Sequence, residues 1–232
     1  MISVVIPTYN EEENIIRCLR SLKEQTLPRE EYEIIVVDGN SIDGTREYAK
    51  AYADRIVLQT SKKVGGARND GVKASEGSLI ATTDADCFCP PQWLEIIEKG
   101  FSDPDVVQLY GPVFPIEKGL NYQLSLGMIN ALSAAGYHTG ILYYTLGCNT
   151  AFRKKTFLKA GLYRCIDAGD DLEIALRMKR FGRVLWNKDM VVGFSMRRYR
   201  QFGTLKSLYE WLYIVAHGGE TDKFSYSRRE YK

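Results

Sequence analysis

The chain has 232 residues, 45% of them hydrophobic and 26% charged, with a formal net charge of +2. These proportions belong to a folded globular protein with room for one large domain or two small ones, and so small a charge excludes a nucleic-acid partner held by bulk electrostatics. The charge is uneven, because from Met196 onward eight Lys/Arg face four Asp/Glu; a basic tail of this kind suits an anionic partner such as a membrane surface.

In chain order, the first hundred residues alternate strand and helix patterns. Residues 2–7 form a β-branched run that reads as a buried strand. Asn10, with Glu13 three residues on, reads as the N-cap of a helix that carries Ile15, Ile16, Leu19 and Leu22 on one face. A second buried strand is expected over 33–38, a turn over 39–45, and a helix near 46–53. A short strand over 56–58, a helix over 65–74 and a fourth strand over 79–83 follow. Strands alternating with helices at this spacing predict an α/β fold, three layers around a largely parallel sheet.

The fourth strand runs into Thr82-Thr-Asp-Ala-Asp86. On an extended backbone, side chains at i and i+2 point the same way, so Asp84 and Asp86 are expected to project together. Paired carboxylates repel unless a cation lies beside them, and oxygen ligands suit Mg²⁺ or Mn²⁺, which bridge diphosphate oxygens. Ligands in such sheets bind beyond the carboxyl ends of the strands. Tyr9 and Asn10, Asp38, and the Asp84/Asp86 pair would all lie there.

Further along, Pro90-Pro91 opens a helix with Trp93, Leu94, Ile96 and Ile97, and a strand spans 106–110. A helix with small residues spans 121–137, extended chain 143–153, and a short helix 157–160 ended by Gly161. An amphipathic helix covers 170–181, short strands 184–186 and 191–194, and a last helix 205–215. With no repeat and no Pro/Gly/Ser linker, the parse is one integrated domain over 1–200 and a basic helical tail over 201–232. Cys18, Cys87, Cys89, Cys148 and Cys165 form no Cys-x-x-Cys pair and are joined by only two histidines. That argues against zinc and for reduced thiols in a cytoplasmic setting; the Cys87-Phe-Cys89 repeat is weak as a ligand motif. Residues 1–7 lack the basic and apolar regions of a signal peptide. The apolar stretch 208–216 is too short to span a bilayer and contains Glu210.

Six motifs occur in order: Ser3-Val-Val-Ile-Pro-Thr-Tyr-Asn-Glu-Glu12, Val36-Val-Asp-Gly-Asn-Ser-Ile-Asp-Gly-Thr45, Gly66-Ala-Arg-Asn69, Thr83-Asp-Ala-Asp86 and, in the second half, Gly147-Cys-Asn-Thr-Ala-Phe-Arg153 and Gly169-Asp-Asp-Leu-Glu173. Together they resemble the family-2 glycosyltransferases of GT-A (Rossmann-like) fold, including dolichyl-phosphate-mannose-synthase-like and cellulose-synthase-like catalytic domains. The resemblance spans about residues 2–200 and implies a nucleotide-sugar half over 1–105 and an acceptor half over 106–200.

The resemblance implies roles residue by residue. Pro7, Tyr9 and Glu11 would surround the base and ribose, and Asp38 would hold the base, accepting from uracil or guanine N–H groups. Arg68 would reach the diphosphate. Asp84 would meet the ribose or sugar, and Asp86 would ligate Mn²⁺ or Mg²⁺, which offsets the charge of the departing nucleoside diphosphate. The second acid of Asp170-Asp171 would be the general base of a single, inverting displacement, which makes Asp171 the catalytic residue. Asp170 with Glu173 also reads as a capping box, and the helix dipole would lower the pKa of Asp171 unless burial or Glu173 compensates. Asn149, Asp170, Arg197 and Arg198 would belong to the acceptor or diphosphate side, the two arginines through a loose likeness of Ser195-Met-Arg-Arg-Tyr199 to a Gln-x-x-Arg-Trp segment.

The expectation is therefore a glycosyltransferase moving a hexose, mannose or glucose, from a GDP- or UDP-sugar to a lipid-linked or glycan acceptor. A lipid-phosphate acceptor is already ionised and needs no strong base. The last helix, with Trp211, several Tyr and Leu, and Lys206 nearby, suits peripheral contact with the cytoplasmic face of a membrane, and equally suits packing on the core. A sugar-phosphate nucleotidyltransferase would open with a Gly-rich strand–loop bearing Arg and Lys, where this chain has Pro7-Thr-Tyr-Asn10. A nicotinamide-dependent oxidoreductase would show G-x-G-x-x-G after the first strand. A nucleotide-sugar binder without catalysis would not need both Asp86 and Asp171.

Overall fold

The computed structural model describes residues 1–140, 146–217 and 223. Strand β1 (Ile2–Thr8) leads to α1 (Ile15–Lys23), β2 (Tyr32–Asp38), α2 (Thr45–Lys50), β3 (Arg55–Leu58), α3 (Lys63–Ala74) and β4 (Leu79–Thr82). There follow α4 (Trp93–Gly100), β5 (Val106–Tyr110), β6 (Val113–Pro115), α5 (Leu120–Thr139), β7 (Thr150–Arg153) and α6 (Lys154–Lys159). The chain continues through α7 (Asp170–Met178), β8 (Arg183–Trp186), β9 (Val192–Phe194), α8 (Arg197–Phe202) and α9 (Thr204–Ala216).

Seven strands form one sheet in the order β3-β2-β1-β4-β7-β5-β8, and β6 pairs with β9 in a small parallel sheet. Among the described strands of this sheet, β7 alone runs against its neighbours, antiparallel to β4 and β5. Successive residues of β1 feed opposite faces, as strand geometry requires. Val4 and Ile6 pack with Ile15, Leu19, Trp93 and Leu94, whereas Val5 packs with Ile35, Val37, Ala67, Phe157 and Ile174. Helices on both sides of a mostly parallel sheet give the expected three-layer α/β sandwich, and explain why β1 and β2 are β-branched runs with no polar alternation. Gly71 lets α3 lie against this sheet, since a Cβ there would fall 2.4 Å from Val5 Cγ1 and 2.8 Å from Val37 Cγ2.

Register creates the site. Thr8 pairs with Asp38 at the end of β2, but β4 stops at Thr82, level with Val5. The sheet edge is therefore notched beside β1, at the point where the connections to β2 and β4 diverge. A notch at such a switch point is where open α/β sheets receive ligands.

Local readings are corrected at two places. Helix α1 begins at Ile15, and Asn10 is not its cap. Asn10 has φ +52°, and its Oδ1 accepts from the Ile42 N–H at 3.0 Å, tying the β1 loop to the turn after β2. The pair of acids does not extend a strand, because residues after Thr82 turn, with the Cys87 N–H donating to Asp84 O at 3.0 Å. The extended segment expected from Tyr143 begins outside the described residues; within them, a 3-10 turn at Gly147–Asn149 precedes β7. Of the expected tail, α8 and α9 are described and most of 218–232 is not. Ser207, Glu210 and Ile214 of α9 are buried, while Leu205, Tyr209 and Leu212 are exposed.

Candidate functional site

A cleft of about 350 Å³ opens at the notch, its walls contributed by the ends of β1 and β4, the start of α3, the Gly147 turn, the start of α7 and α8. Pro7, Glu11, Arg68, Asp84, Asp86, Asp170, Asp171, Arg197 and Arg198 all line it. Residues far apart in sequence thus meet at one edge.

The two acids of the β4 turn part company. Asp84 faces Arg68, with Oδ1 2.8 Å from Nη2. Asp86 faces Arg197, with Oδ2 3.0 Å from Nε, and the same guanidinium also pairs with Glu11. Burial pushes the Asp86 carboxyl up to about 7, against the pull of Arg197 and with added repulsion from Glu11 and Asp84. Burial likewise raises the Glu11 carboxyl. Glu11 and Asp86 thus share Arg197 on one side of the cleft, where burial makes ionisation costly and a divalent cation near Asp86 would favour it. A hard ion such as Mn²⁺ or Mg²⁺ fits this donor set.

On the opposite wall Arg68 is a hub. It is 4% exposed, and Nη1 lies 3.5 Å from both Asp170 Oδ2 and Asp171 Oδ1. Its guanidinium sits 5.5 Å from the centre of the Tyr163 ring. Burial works against its charge, but attraction from Asp84, Asp171 and Asp170 outweighs it and raises its affinity for the proton well above the ordinary value. Desolvation raises the carboxyls of Asp170 and Asp171, and repulsion between the two adds to it for Asp170. The dipole of α7 therefore loses to burial, and Glu173 takes no part, since it pairs with Arg177 at 2.6 Å and Arg164 at 3.3 Å.

Helix α7 starts differently from the expected capping box. Gly169, at φ +82° where a side chain would be strained, is the N-cap, and Asp170 is the first helical residue rather than the cap. This geometry sorts the pair, because the Asp170 side chain is 6% exposed and that of Asp171 24%. Both line the cleft, and Asp171 is the more exposed of the two.

Other expected residues separate into those on the cleft and those behind it. Asp38 is fully buried; its oxygens accept from the Ser41 N–H at 3.3 and 3.2 Å, and Arg46 Nε lies 3.5 Å away. It holds the turn after β2 and is absent from the cleft wall, as is the exposed Tyr9. Asn149 is also fully buried. Its Oδ1 accepts from Trp93 Nε1 at 2.9 Å and its Nδ2 donates to Pro112 O and Met190 O at 2.8 and 2.6 Å. These bonds tie the Gly147 turn to α4 and to the chain before β6 and β9, so Asn149 supports the site from outside it.

Three contributors escaped the reading of the chain. Gly147 approaches so closely that a Cβ would lie 2.5 Å from Asp171 Oδ1 and 2.6 Å from Arg68 Nη1, and its N–H donates to the Asp171 carboxylate. Lys63 Nζ pairs with Asp167 at 2.7 Å across the cleft rim. Glu117 accepts from Ser195 Oγ at 3.0 Å and Met196 N–H at 2.8 Å, setting the entry to α8. Gly147 alone left a signal, as the first residue of a quoted motif; the other two pairings join distant segments with no local pattern.

The family model described as "Glycosyl transferase family 2" matches residues 3–161. Glycosyltransferase AglE of Haloferax volcanii is 44% identical over 100 residues, 40% of this chain and 33% of the relative. The poly(ribitol-phosphate) beta-glucosyltransferase of Bacillus spizizenii is 36% identical over 121 residues, 47% of this chain and 19% of the relative. The chain thus spans a third or less of the length of these curated relatives. Among solved structures, S. aureus TarS 1–349 in complex with UDP-GlcNAc superposes with a TM-score of 0.65 at 20% identity, covering 84% of this chain and 58% of that one. The mannosyltransferase PcManGT of Pyrobaculum calidifontis, in complex with GDP-Man and Mn²⁺, gives 0.65 at 22% identity, covering 95% and 65%. At these identities the likeness is one of fold.

Proposed function

The chain belongs to glycosyl transferase family 2, and from that premise we propose that it is an inverting, metal-dependent glycosyltransferase. It transfers a hexose, mannose or glucose, from a GDP- or UDP-sugar to a glycan or lipid-linked acceptor. The observation that carries this reading is the shared cleft, in which Arg68 joins Asp84 of the donor wall to Asp171 of the acceptor wall.

Pro7, Glu11 and Asp84 form the donor side; Tyr9 and Asp38 lie off the cleft wall and would act on the base and ribose only through the loops they hold. Asp86, with Glu11 and Asp84 beside it, would hold Mn²⁺ or Mg²⁺; when bound, that ion supplies Lewis-acid compensation for the charge of the leaving nucleoside diphosphate. Arg197 and Arg198 line the same end of the cleft and add positive charge toward the diphosphate. Asp171 accepts the proton of the acceptor hydroxyl as that oxygen attacks C1 of the sugar, and attack from the face opposite the leaving group inverts the anomeric centre. Its raised pKa makes it a stronger base than a solvated carboxylate. The neighbouring PcManGT and TarS complexes, with GDP-Man and UDP-GlcNAc, support a nucleotide-sugar donor. We further place the enzyme in the cytoplasm, peripheral on the membrane, through the exposed Leu205, Tyr209 and Leu212 of α9 with Lys206 beside them. No helix among the described residues is long and apolar enough to cross a bilayer.

A thermal-shift screen of GDP-, UDP- and dTDP-sugars with and without Mn²⁺ tests the donor reading. A ligand at about a hundred times its Kd stabilises by roughly 2.7 kcal/mol, a rise of roughly 5–10 °C for a domain of this size. A metal-dependent shift with one nucleotide class is expected, and no shift with any would overturn the proposal. Co-sedimentation with anionic liposomes tests the membrane contact, which absence of binding would remove.

A further inference from the structure

The thiol pair assembled by the fold is not the Cys87-Phe-Cys89 repeat seen in the sequence. The turn at the end of β4 closes through its Cys87 N–H to Asp84 O bond and folds Cys87 back beside the Asp84 carboxylate. Cys148 comes from the 3-10 turn before β7, which is held against β4 by the pairing of Thr82 with Thr150 and by Thr82 Oγ1 donating to Gly147 O at 2.6 Å. An Asp84 carboxylate oxygen and the two Sγ atoms all lie within 4.8 Å of one another. Asp84 and Cys148 line the cleft, with Cys87 buried behind them. A small cation therefore has a route in from solvent.

We propose that Asp84, Cys87 and Cys148 form a site for one thiophilic divalent cation of the Zn²⁺ and Cd²⁺ class. Two sulfurs and one carboxylate are a soft donor set, selecting against the Mg²⁺ and Mn²⁺ suited to the oxygen-only surroundings of Asp86. Tetrahedral ligation with metal–sulfur bonds near 2.3 Å brings the sulfurs to about 3.8 Å apart. The three ligand atoms, all within 4.8 Å of one another, stand close enough to draw into that geometry. Binding releases both thiol protons to solvent. The single negative charge left on the filled site meets Arg68, 2.8 Å from Asp84. The other two buried cysteines are engaged elsewhere, Cys18 Sγ with Asp84 O at 3.4 Å and Cys89 Sγ with Thr83 Oγ1 at 3.7 Å. The site does not depend on the glycosyl-transfer reading.

Cadmium titration of the full chain, followed by the ultraviolet thiolate-to-cadmium charge-transfer band, reads the site directly. A Cys165→Ser background removes the exposed thiol, which would bind soft metals by itself. The expected band saturates at one ion per chain, disappears in Cys87→Ser and in Cys148→Ser, survives in Cys18→Ala and in Cys89→Ala, and needs more cadmium in Asp84→Asn. Where a serine variant fails to melt cooperatively, Cys87→Ala or Cys148→Ala takes its place. No band in the Cys165→Ser protein, a band that survives loss of both Cys87 and Cys148, or one that follows Cys18 or Cys89 would overturn the proposal.

Discussion

Replacing Arg68 by methionine keeps most of the side-chain volume and removes the charge. At an effective dielectric of about 20, the attraction is about 6 kcal/mol for Asp84 at 2.8 Å and about 5 kcal/mol for each of Asp170 and Asp171 at 3.5 Å. Repulsion among the carboxylates and desolvation of the guanidinium oppose these gross attractions. Breaking a buried ion cluster from one side leaves a net loss of about 3–5 kcal/mol. For a domain of this size that lowers Tm by roughly 6–20 °C. The loss also depends on pH. The Asp170 and Asp171 carboxyls are already raised, so the folded state binds more protons than the unfolded state between the ordinary carboxylate range and the raised values. Stability therefore falls as pH rises through that window. Without Arg68 the window widens upward, and the penalty is larger at pH 8 than at pH 5. Urea unfolding at both pH values, followed by tryptophan fluorescence, measures it. A penalty below about 1 kcal/mol, or the same at both pH values, would refute the role of Arg68 as the charge that holds the acids together.

With an alcohol acceptor, Asp171→Asn is expected to lower kcat by about 10²–10⁴ with donor affinity little changed. The wild-type rate should climb with pH as the raised Asp171 carboxyl ionises, and the variant should lose that climb; near-wild-type turnover would sink the general-base role. Gly71→Ala places a methyl on Val5 and Val37 and should cost about 1–3 kcal/mol by overpacking, read as a shift of the urea midpoint. Asn149→Ala strips the buried partners of Trp93, Pro112 and Met190. At about 1–3 kcal/mol for each unsatisfied group, a loss of at least about 3 kcal/mol is expected, with donor affinity of the folded protein retained.

The sheet was legible because its strands are short apolar runs bounded by turns, and parallel pairing buries both of their faces. The cleft residues were legible wherever a motif places a charged group at a strand end or helix start, as with Asp84, Asp86 and Asp171. The misreadings share one cause: the sequence shows which polar groups exist, and tertiary contacts choose their partners. Asn10 has a helix N-cap pattern, yet a positive φ and the Ile42 N–H claim it for a loop-to-loop bond. Asp170 has a capping-box pattern, yet Gly169 takes the cap and Arg68 takes the carboxylate. Asn149 stands in an acceptor motif, yet α4 and the chain before β9 consume its amide. Cys148 acquires significance only through antiparallel pairing, which sets it beside Cys87 from sixty residues away.

The acidic pair of the β4 turn divides into two electrostatic units, and the division follows from where β4 ends. Had the strand continued past Thr82, Asp84 and Asp86 would share one face and one counterion. Because the chain turns there, Asp84 is drawn to Arg68 on α3 and Asp86 to Arg197 on α8. The first contact joins the donor and acceptor walls through a buried cation that cannot lose its charge. The second lies where burial has already weakened ionisation of Asp86, and so is the contact more readily exchanged for a different cation. On the proposed reading, a rigid coupling on one side and an exchangeable one on the other would let a donor complex assemble at Asp86 without disturbing the Arg68–Asp171 contact beside the proposed base.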